Sequence, residues 1–185
     1  MRKISFTLIV LLIAGSIHAQ NVIKPAKGYS DDIGNMITML DDLKGRVTRS
    51  VSNLDQTGTD FLLDDNANRI GSMIMHLAAT EVYYQKYTFE GRGFNDEENK
   101  KWDAALSLGD KGRENLKGQP ISYYLEIWDD VRSKTKELLK EKDDKWFSKK
   151  ALSGSMNNHW AWYHVMEHQA NHMGQIRLIL GRIPD

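Results

Sequence analysis

Hydrophobic residues recur at steps of three and four over most of the chain beyond residue 30. The first series follows Ser30, a suitable N-cap, and comprises Ile33, Met36, Ile37, Leu40, Leu43, Val47, Val51 and Leu54. This spacing places apolar side chains on one face of a helix. A second helix is predicted from near Asp65 to about Thr88, with a stripe of Ile70, Met73, Ile74, Leu77 and Tyr84.

Two further long helices are predicted in the C-terminal half. Pro120 suits the first turn of the third helix, because the amide hydrogen that proline lacks would be unpaired there. Asn157 or Asn158 suits the N-cap of the fourth helix, which reaches Gly181. No strand-like alternation of any length is present in the sequence. We therefore expect an all-α fold, and four long helices in one domain favour a four-helix bundle.

The segment between the second and third helices is polar and contains glycine. It predicts a short extra helix from Asp96 to Leu108, followed by a loop from Gly109 to Gln119. The pattern thus indicates a bundle with one short extra helix between helices two and three.

The first twenty residues have a composition of their own. Arg2 and Lys3 precede an almost unbroken apolar run over residues 4–14, and small and polar residues follow. This order is typical of a secretory signal peptide, with cleavage expected after Ala19. The alternative is an uncleaved anchor, but the run is shorter than the roughly 20 residues that span a bilayer. We expect no stable membrane insertion after cleavage.

The expected organisation is a signal peptide over residues 1–19, a linker over residues 20–29 and one helical domain over residues 30–185. The chain has no cysteine, which excludes disulfides, thiolate metal ligands and a lipid-modified cysteine. A domain with these features is expected to be periplasmic or secreted. Without Arg2 and Lys3, 23 basic residues face 25 acidic ones, so the charge gives no indication of a nucleic-acid partner.

Three of the six histidines, His164, His168 and His172, lie four residues apart near the C-terminus. On a helix, successive members of this series differ in direction by only about 40°. The same side of the helix carries Ala161, Val165, Gln175, Ile176 and Ile179. Three buried polar rings are costly without a partner, and neutral imidazoles spaced this way are suitable ligands for zinc, nickel or iron.

Two residues of the second helix are candidates for the same site. His76 lies on the flank of that helix and is a candidate for a further ligand. Glu81 lies near the centre of the apolar stripe, where a carboxylate is either close to the site or part of an interhelical hydrogen bond or salt bridge. Without a metal, the histidines would be hydrogen-bonded core residues or a pH-sensitive interface.

Several other types of site do not match the sequence. The last histidine pair reads HQANH, with Gln169 where an HExxH metalloprotease has its catalytic glutamate. The paired ExxH motifs of di-iron bundles and the CxxCH motif of c-type haem are not found. A b-type haem fits poorly with histidines clustered on one helix. No glycine-rich phosphate loop and no Ser-His-Asp arrangement can be identified.

Two segments, HLAATEVYY and HQANHMGQIRLILGRIP, resemble the DinB-like (YfiT-like) metalloenzyme superfamily. The resemblance covers about residues 30–185 and implies a four-helix bundle with an up-down-down-up course. It implies a divalent metal, most often zinc or nickel, with the ligands His76, His168 and His172. Gly174 and Gln175 match the residues that follow the last ligand in the family. His164 is an addition to the family pattern, and is either an alternative ligand or a neighbour of the ligands.

The resemblance also implies a small-molecule substrate, since characterised relatives are largely S-transferases or isomerases that use low-molecular-weight thiols. We therefore expect an exported, metal-dependent enzyme of the thiol S-transferase, isomerase or hydrolase type. Glu81, His164 and Gln175 are candidates for residues around the ligands. The alternative is a non-catalytic metal-binding or stress-response protein, in which His164 closes the fourth coordination position. Either protein is compatible with a homodimer formed through a helix face.

Overall fold

The computed structural model describes residues 22–152 and 154–184, and within these ranges it contains helices and connecting turns but no strand. The signal peptide expected over residues 1–19 lies outside the described residues. In chain order the helices are α1 (Asp31–Val51), α2 (Gln56–Thr59), α3 (Ile70–Gln85), α4 (Asp96–Ser107), α5 (Gly109–Asn115), α6 (Ile121–Lys140), α7 (Asp144–Ser148) and α8 (Asn158–Leu180), and a π-helical turn (Lys86–Glu90) continues α3. The all-α prediction is confirmed.

Side-chain caps explain where α4 and α8 begin, as they do for the short helices α2 and α7. Asn157 caps α8, because its side-chain oxygen accepts a hydrogen bond from the amide of Trp160 at 2.8 Å. Asn95 and Glu98 form a capping box at the start of α4, which satisfies amide groups that lack partners within the helix. Ser30 precedes α1 as expected. Its hydroxyl, however, donates to the carboxylate of Asp144 instead of capping the helix.

The helix α3 packs against both α6 and α8, and α1 packs against α8 and also contacts α6. The largest fully buried side chains include Trp128, Trp162, Tyr124 and Phe147. Gly71 allows α3 and α6 to approach closely, since a Cβ atom there would lie 2.5 Å from Cε2 of Tyr124. This packing places the middle of α3 beside the histidine-bearing part of α8.

Two details of the predicted helices were wrong. The second helix begins at Ile70, not near Asp65, because the side chain of Arg69 donates to the carbonyl of Asp60 and holds the preceding segment in a loop. The expected loop over residues 109–119 contains α5, so two short helices, not one, separate α3 from α6. Leu108 marks the junction of α4 and α5 with a φ of +51°, which is a conformation that favours glycine.

The segment before α1 lies along that helix. The amide of Ala26 donates to the carbonyl of Gly34 at 3.1 Å, and the hydroxyl of Thr38 donates to the carbonyl of Lys24 at 2.7 Å. Among the described residues, no helix combines the length and the apolar character that crossing a membrane requires.

Candidate metal centre

Three histidines from two helices converge between α3 and α8. One possible ligand atom from each of His76, His168 and His172 lies within 4.8 Å of the other two. The ring of His76 is equally close to both partners, with centroid distances of 4.8 Å to His168 and 4.9 Å to His172. Because residues four apart lie one turn above each other on the same helix face, a single histidine of α3 reaches both rings of α8.

A carbonyl of α4 determines which nitrogen of His76 is available. The Nδ1 of His76 lies 2.8 Å from the carbonyl oxygen of Ala105, and a carbonyl can only accept, so Nδ1 carries the hydrogen. The Nε2 of His76 therefore presents a lone pair to the interior of the group, where Nε2 of His168 is 2.6 Å away. A histidine that donates one ring nitrogen to a carbonyl and offers the other is the usual arrangement around a metal.

The third histidine has an unpaired nitrogen. Nδ1 of His172 is buried and has no hydrogen-bond partner in the described part of the chain, which is a costly state for a polar atom. Nitrogen ligands at about 2.1 Å from a tetrahedral zinc ion would be about 3.4 Å apart. The shortest separation of 2.6 Å and the upper limit of 4.8 Å bracket this value. The donor set therefore fits a divalent metal after small side-chain rotations.

The surroundings of the three rings favour their neutral forms. Burial, together with the neighbouring His172, His76 and His164, lowers the pKa of His168 to about 3. Burial and the neighbouring His76 lower the pKa of His172 to about 4, although the side chain of Gln175 opposes the change. Burial also lowers the pKa of His76, despite its carbonyl partners. Neutral imidazole is the form that binds metals, so the site is ready for one at pH 7.

Glu81 is buried in a hydrogen-bond network with α6. Arg132 donates from Nε to Oε1 at 2.8 Å and from Nη2 to Oε2 at 2.9 Å. The hydroxyl of Thr135 and the indole of Trp128 donate to the same carboxylate at 2.6 and 3.3 Å. Four donors from one helix thus satisfy the carboxylate without a metal. This is the interhelical salt bridge that was the second possibility for Glu81.

His164 lies one turn before His168 and outside the group of three. Its ring stacks on Trp160, with a centroid distance of 5.2 Å and an interplanar angle of 7°. Its Nδ1 is 3.5 Å from a carboxylate oxygen of Glu167. The ring centroid is 5.7 Å from that of His168, so His164 is a neighbour of the candidate ligands.

Gln175 lies one turn after His172 on α8. Its side chain opposes the lowering of the pKa of His172. It also lines a cavity of about 220 Å³ together with Leu63, Asn66, Ala67, Asn68, Met73, Leu178 and Ile179. Met73 precedes His76 by one turn of α3, so this cavity lies one helical turn from the histidine group, and none of the three histidines lines it.

Sequence reasoning missed two contributors to this region. The carbonyl of Ala105 leaves no side-chain signal, because its role depends only on how α4 packs against α3. Arg132 did carry a signal, since it falls on the inward stripe of α6 beside Val131 and Thr135. A buried charge on that stripe calls for a partner of opposite charge, and Glu81 was already known to lie on an apolar stripe.

A protein-family model described as MST: Mycothiol-S-transferase matches residues 35–183. This family is part of the DinB/YfiT-like superfamily, so the resemblance found in the sequence is confirmed. The matched range includes His76, His168 and His172. No curated protein matches the chain.

Proposed function

The chain belongs to the mycothiol-S-transferase family, and from this premise we propose that it is a metal-dependent S-transferase that acts on a low-molecular-weight thiol. The observation that carries the proposal is the convergence of His76, His168 and His172 between α3 and α8. Three imidazole donors suit zinc or nickel. Three protein ligands also leave a coordination position for substrate, as in catalytic metal sites.

The chemistry requires a thiol sulfur that is nucleophilic at neutral pH. A divalent metal held by three neutral histidines keeps its +2 charge and, when bound, favours the thiolate form of a coordinated thiol. In the transfer, the sulfur forms a bond to an electrophilic carbon, the leaving group departs with its electron pair, and the thiol proton is released to solvent. The residues of this chain keep the histidines neutral by burying them, and the carbonyl of Ala105 fixes the orientation of the His76 ring.

The cavity beside Gln175 supports a binding place for the body of the thiol. Met73 and Gln175, which line the cavity, each lie one turn from a candidate ligand, so the cavity is about one helical turn away from the proposed metal position. Its lining combines apolar side chains with the amides of Asn66, Asn68 and Gln175. Amide groups donate and accept hydrogen bonds, so this lining suits an uncharged polar molecule that carries the thiol.

We also propose the up-down-down-up bundle for the four long helices. Contacts of opposite order join α1 and α6, as in the pairs Asp41–Lys136 and Lys44–Asp129. Contacts of the same order join α3 and α6, as in the pairs Gly71–Tyr124 and Gln85–Thr135. Contacts of opposite order join α3 and α8, as in the pairs His76–His172 and Tyr84–His164. These directions support the course that the superfamily implies.

Export is the third part of the proposal. The basic start, the apolar run over residues 4–14 and the small residues up to Ala19 support a cleaved signal peptide. We propose that the mature chain begins at Gln20 and is periplasmic or secreted. Mass spectrometry of the protein recovered from the cell envelope and the medium tests this. An intact N-terminus on protein recovered only from the cytoplasm would contradict it.

A thiol-consumption assay tests the transferase activity. The protein, loaded with zinc or with nickel, is incubated with each of several low-molecular-weight thiols and an electrophile, and conjugates are detected by mass spectrometry. We expect conjugate with the parent and with His159→Ala, a matched variant of a histidine outside the group of three. We expect at least a hundredfold less with His168→Ala, in line with loss of a metal ligand or its support. Metal-bound protein without transfer to any thiol would support the non-catalytic alternative.

A further inference from the structure

Aromatic side chains continue outward from the metal centre as a connected surface. From His168, ring contacts lead to His164 at 5.7 Å, and from there to Trp160 at 5.2 Å and Tyr84 at 5.8 Å. Five side chains continue this surface, and we call them the aromatic wall: Tyr83, Tyr84, Tyr87, Phe94 and Trp160. The wall therefore begins one ring away from a candidate metal ligand.

The wall is continuous because its tyrosines lie one, three or four residues apart at the end of α3. Tyr84 has ring contacts with Tyr83 at 5.6 Å and with Tyr87 at 6.2 Å, and Tyr83 contacts Phe94 at 5.4 Å. Tyr87 belongs to the π-helical turn Lys86–Glu90. Such turns in α-helices are frequent at functional sites.

The wall lies at the edge of the protein core, against which Tyr84 and Phe94 pack. The indole of Trp160 is 45% exposed, whereas Trp128 and Trp162 are fully buried. The other members of the wall are partly exposed. Exposed aromatic surface is unfavourable in water, and a contiguous patch of it beside a candidate active site indicates a binding surface.

We propose that the aromatic wall binds a planar, electron-poor aromatic ring that is part of the electrophile in the S-transfer reaction. This inference rests on the proposed function, because it assigns the second substrate of the same site. The faces of phenol and indole rings carry negative charge density, so they attract electron-poor rings. They also attract cations, but the +2 charge of a bound metal nearby would oppose a cationic ligand.

With 1-chloro-2,4-dinitrobenzene as the electrophile, the proposed reaction is a substitution at an aromatic carbon. The thiol sulfur forms the new carbon–sulfur bond, chloride leaves with the electron pair of the carbon–chlorine bond, and the thiol proton goes to solvent. The chain has no cysteine, so this reagent cannot consume a thiol of the protein itself.

Binding of 1,3-dinitrobenzene, which has no leaving group, tests the wall without any reaction. Equilibrium dialysis on the metal-loaded full-length protein gives its dissociation constant. We expect Trp160→Leu to weaken binding about three- to tenfold, in line with the loss of one aromatic stacking partner. Trp160→Phe should bind within about threefold of the parent, because it keeps a ring at this position. Choline serves as the cationic comparison and should bind at least about tenfold more weakly than 1,3-dinitrobenzene.

Tyr163→Leu provides the matched control. Tyr163 is on the same helix as Trp160, its exposure is nearly equal at 44% against 45%, and it does not belong to the wall. We expect this variant to bind 1,3-dinitrobenzene as the parent does. Equal affinity in the parent and Trp160→Leu would overturn the proposal, and so would equal losses in Trp160→Leu and Tyr163→Leu or tighter binding of choline.

Turnover separates this proposal from the proposed function. Suppose that the protein conjugates thiols to chloroacetamide, and that the ratio of the rates with 1-chloro-2,4-dinitrobenzene and with chloroacetamide is the same in the parent and in Trp160→Leu. The transferase proposal then stands and the aromatic wall proposal fails. If 1,3-dinitrobenzene binding depends on Trp160 but no thiol is ever conjugated, the wall stands as a binding surface and the transferase fails. Metal content, measured for every variant, should stay the same because no wall residue is a candidate ligand.

Discussion

Removing the carboxylate of Glu81 should destabilise the fold strongly and leave the three-histidine group in place. Glu81 is fully buried, and Arg132 is only 4% exposed. The two side chains form a two-point ion pair with distances of 2.8 and 2.9 Å. In Glu81→Leu the guanidinium would keep one bond, to Asp41 at 3.1 Å, and would otherwise be a buried charge without a partner.

The size of the effect follows from that geometry. Removing one member of a buried ion pair costs about 3–5 kcal/mol of the free energy of unfolding. For a domain of this size, each kcal/mol corresponds to about 2–4 °C in melting temperature, so we expect Glu81→Leu to melt about 6–20 °C lower than the parent. Replacing both charges, as in Glu81→Leu with Arg132→Met, should restore stability to within about 1 kcal/mol of the parent or above it.

Urea denaturation of the parent, Glu81→Leu, Arg132→Met and the double variant gives the coupling energy between the two side chains. We expect this energy to be at least about 2 kcal/mol. Glu137→Leu is the control, because it breaks the exposed ion pair Lys134–Glu137 and should change stability by no more than about 0.5 kcal/mol. Additive losses in the double variant would refute the reasoning. A Glu81 variant that keeps its melting temperature but loses metal would instead assign the carboxylate to the metal site.

Other substitutions and pH test further parts of the structure. Gly71→Ala should lower the free energy of unfolding, measured by urea denaturation, by about 1–3 kcal/mol, because its methyl group would meet the ring of Tyr124 at 2.5 Å. Gly174→Ala has no atom within 4 Å of the added methyl group and should raise that free energy by up to about 1 kcal/mol through helix propensity. Equal effects of the two substitutions would contradict the packing described for Gly71. The pKa values of His168 and His172 are lowered in the fold to about 3 and 4, below the unfolded value near 6.5. The metal-free protein should therefore lose stability as the pH falls below about 6.5. Between about pH 6.5 and 5, the melting temperature of a His168→Gln, His172→Gln double variant should fall less steeply with pH than that of the parent. Equal slopes for the two proteins would contradict the lowered pKa values.

The periodicity of the sequence was sufficient for the long helices because each one buries an apolar stripe. The start of α8 was also within reach, since an asparagine at Asn157 has a local reason to be an N-cap. The helix α5 was missed because its sequence GDKGREN has no apolar stripe and begins after the unusual backbone turn at Leu108. Its existence depends on contacts with distant residues, such as the hydrogen bond from the amide of Gly109 to Asn68.

The histidine spacing revealed the candidate site but could not select its members. His164 and His172 lie at equal angles on either side of His168, so the helix alone treats them alike. The selection comes from α3, where His76 lies level with His168 and His172 and one turn away from His164. The position of His76 relative to the histidines of α8 depends on how α3 and α8 align along their axes. The sequence of either helix alone does not determine this alignment.

The account depends most directly on the claim that the three histidines bind a metal. The expected mature chain, residues 20–185, is purified without a histidine tag, supplied with zinc or nickel, dialysed and analysed for metal content. The His168→Ala, His172→Ala double variant is treated in the same way, and His159→Ala serves as the control. We expect about one metal ion per chain in the parent and in His159→Ala, and little in the double variant. A parent that binds no metal from either supply, or a double variant that binds as much as the parent, would contradict the central claim.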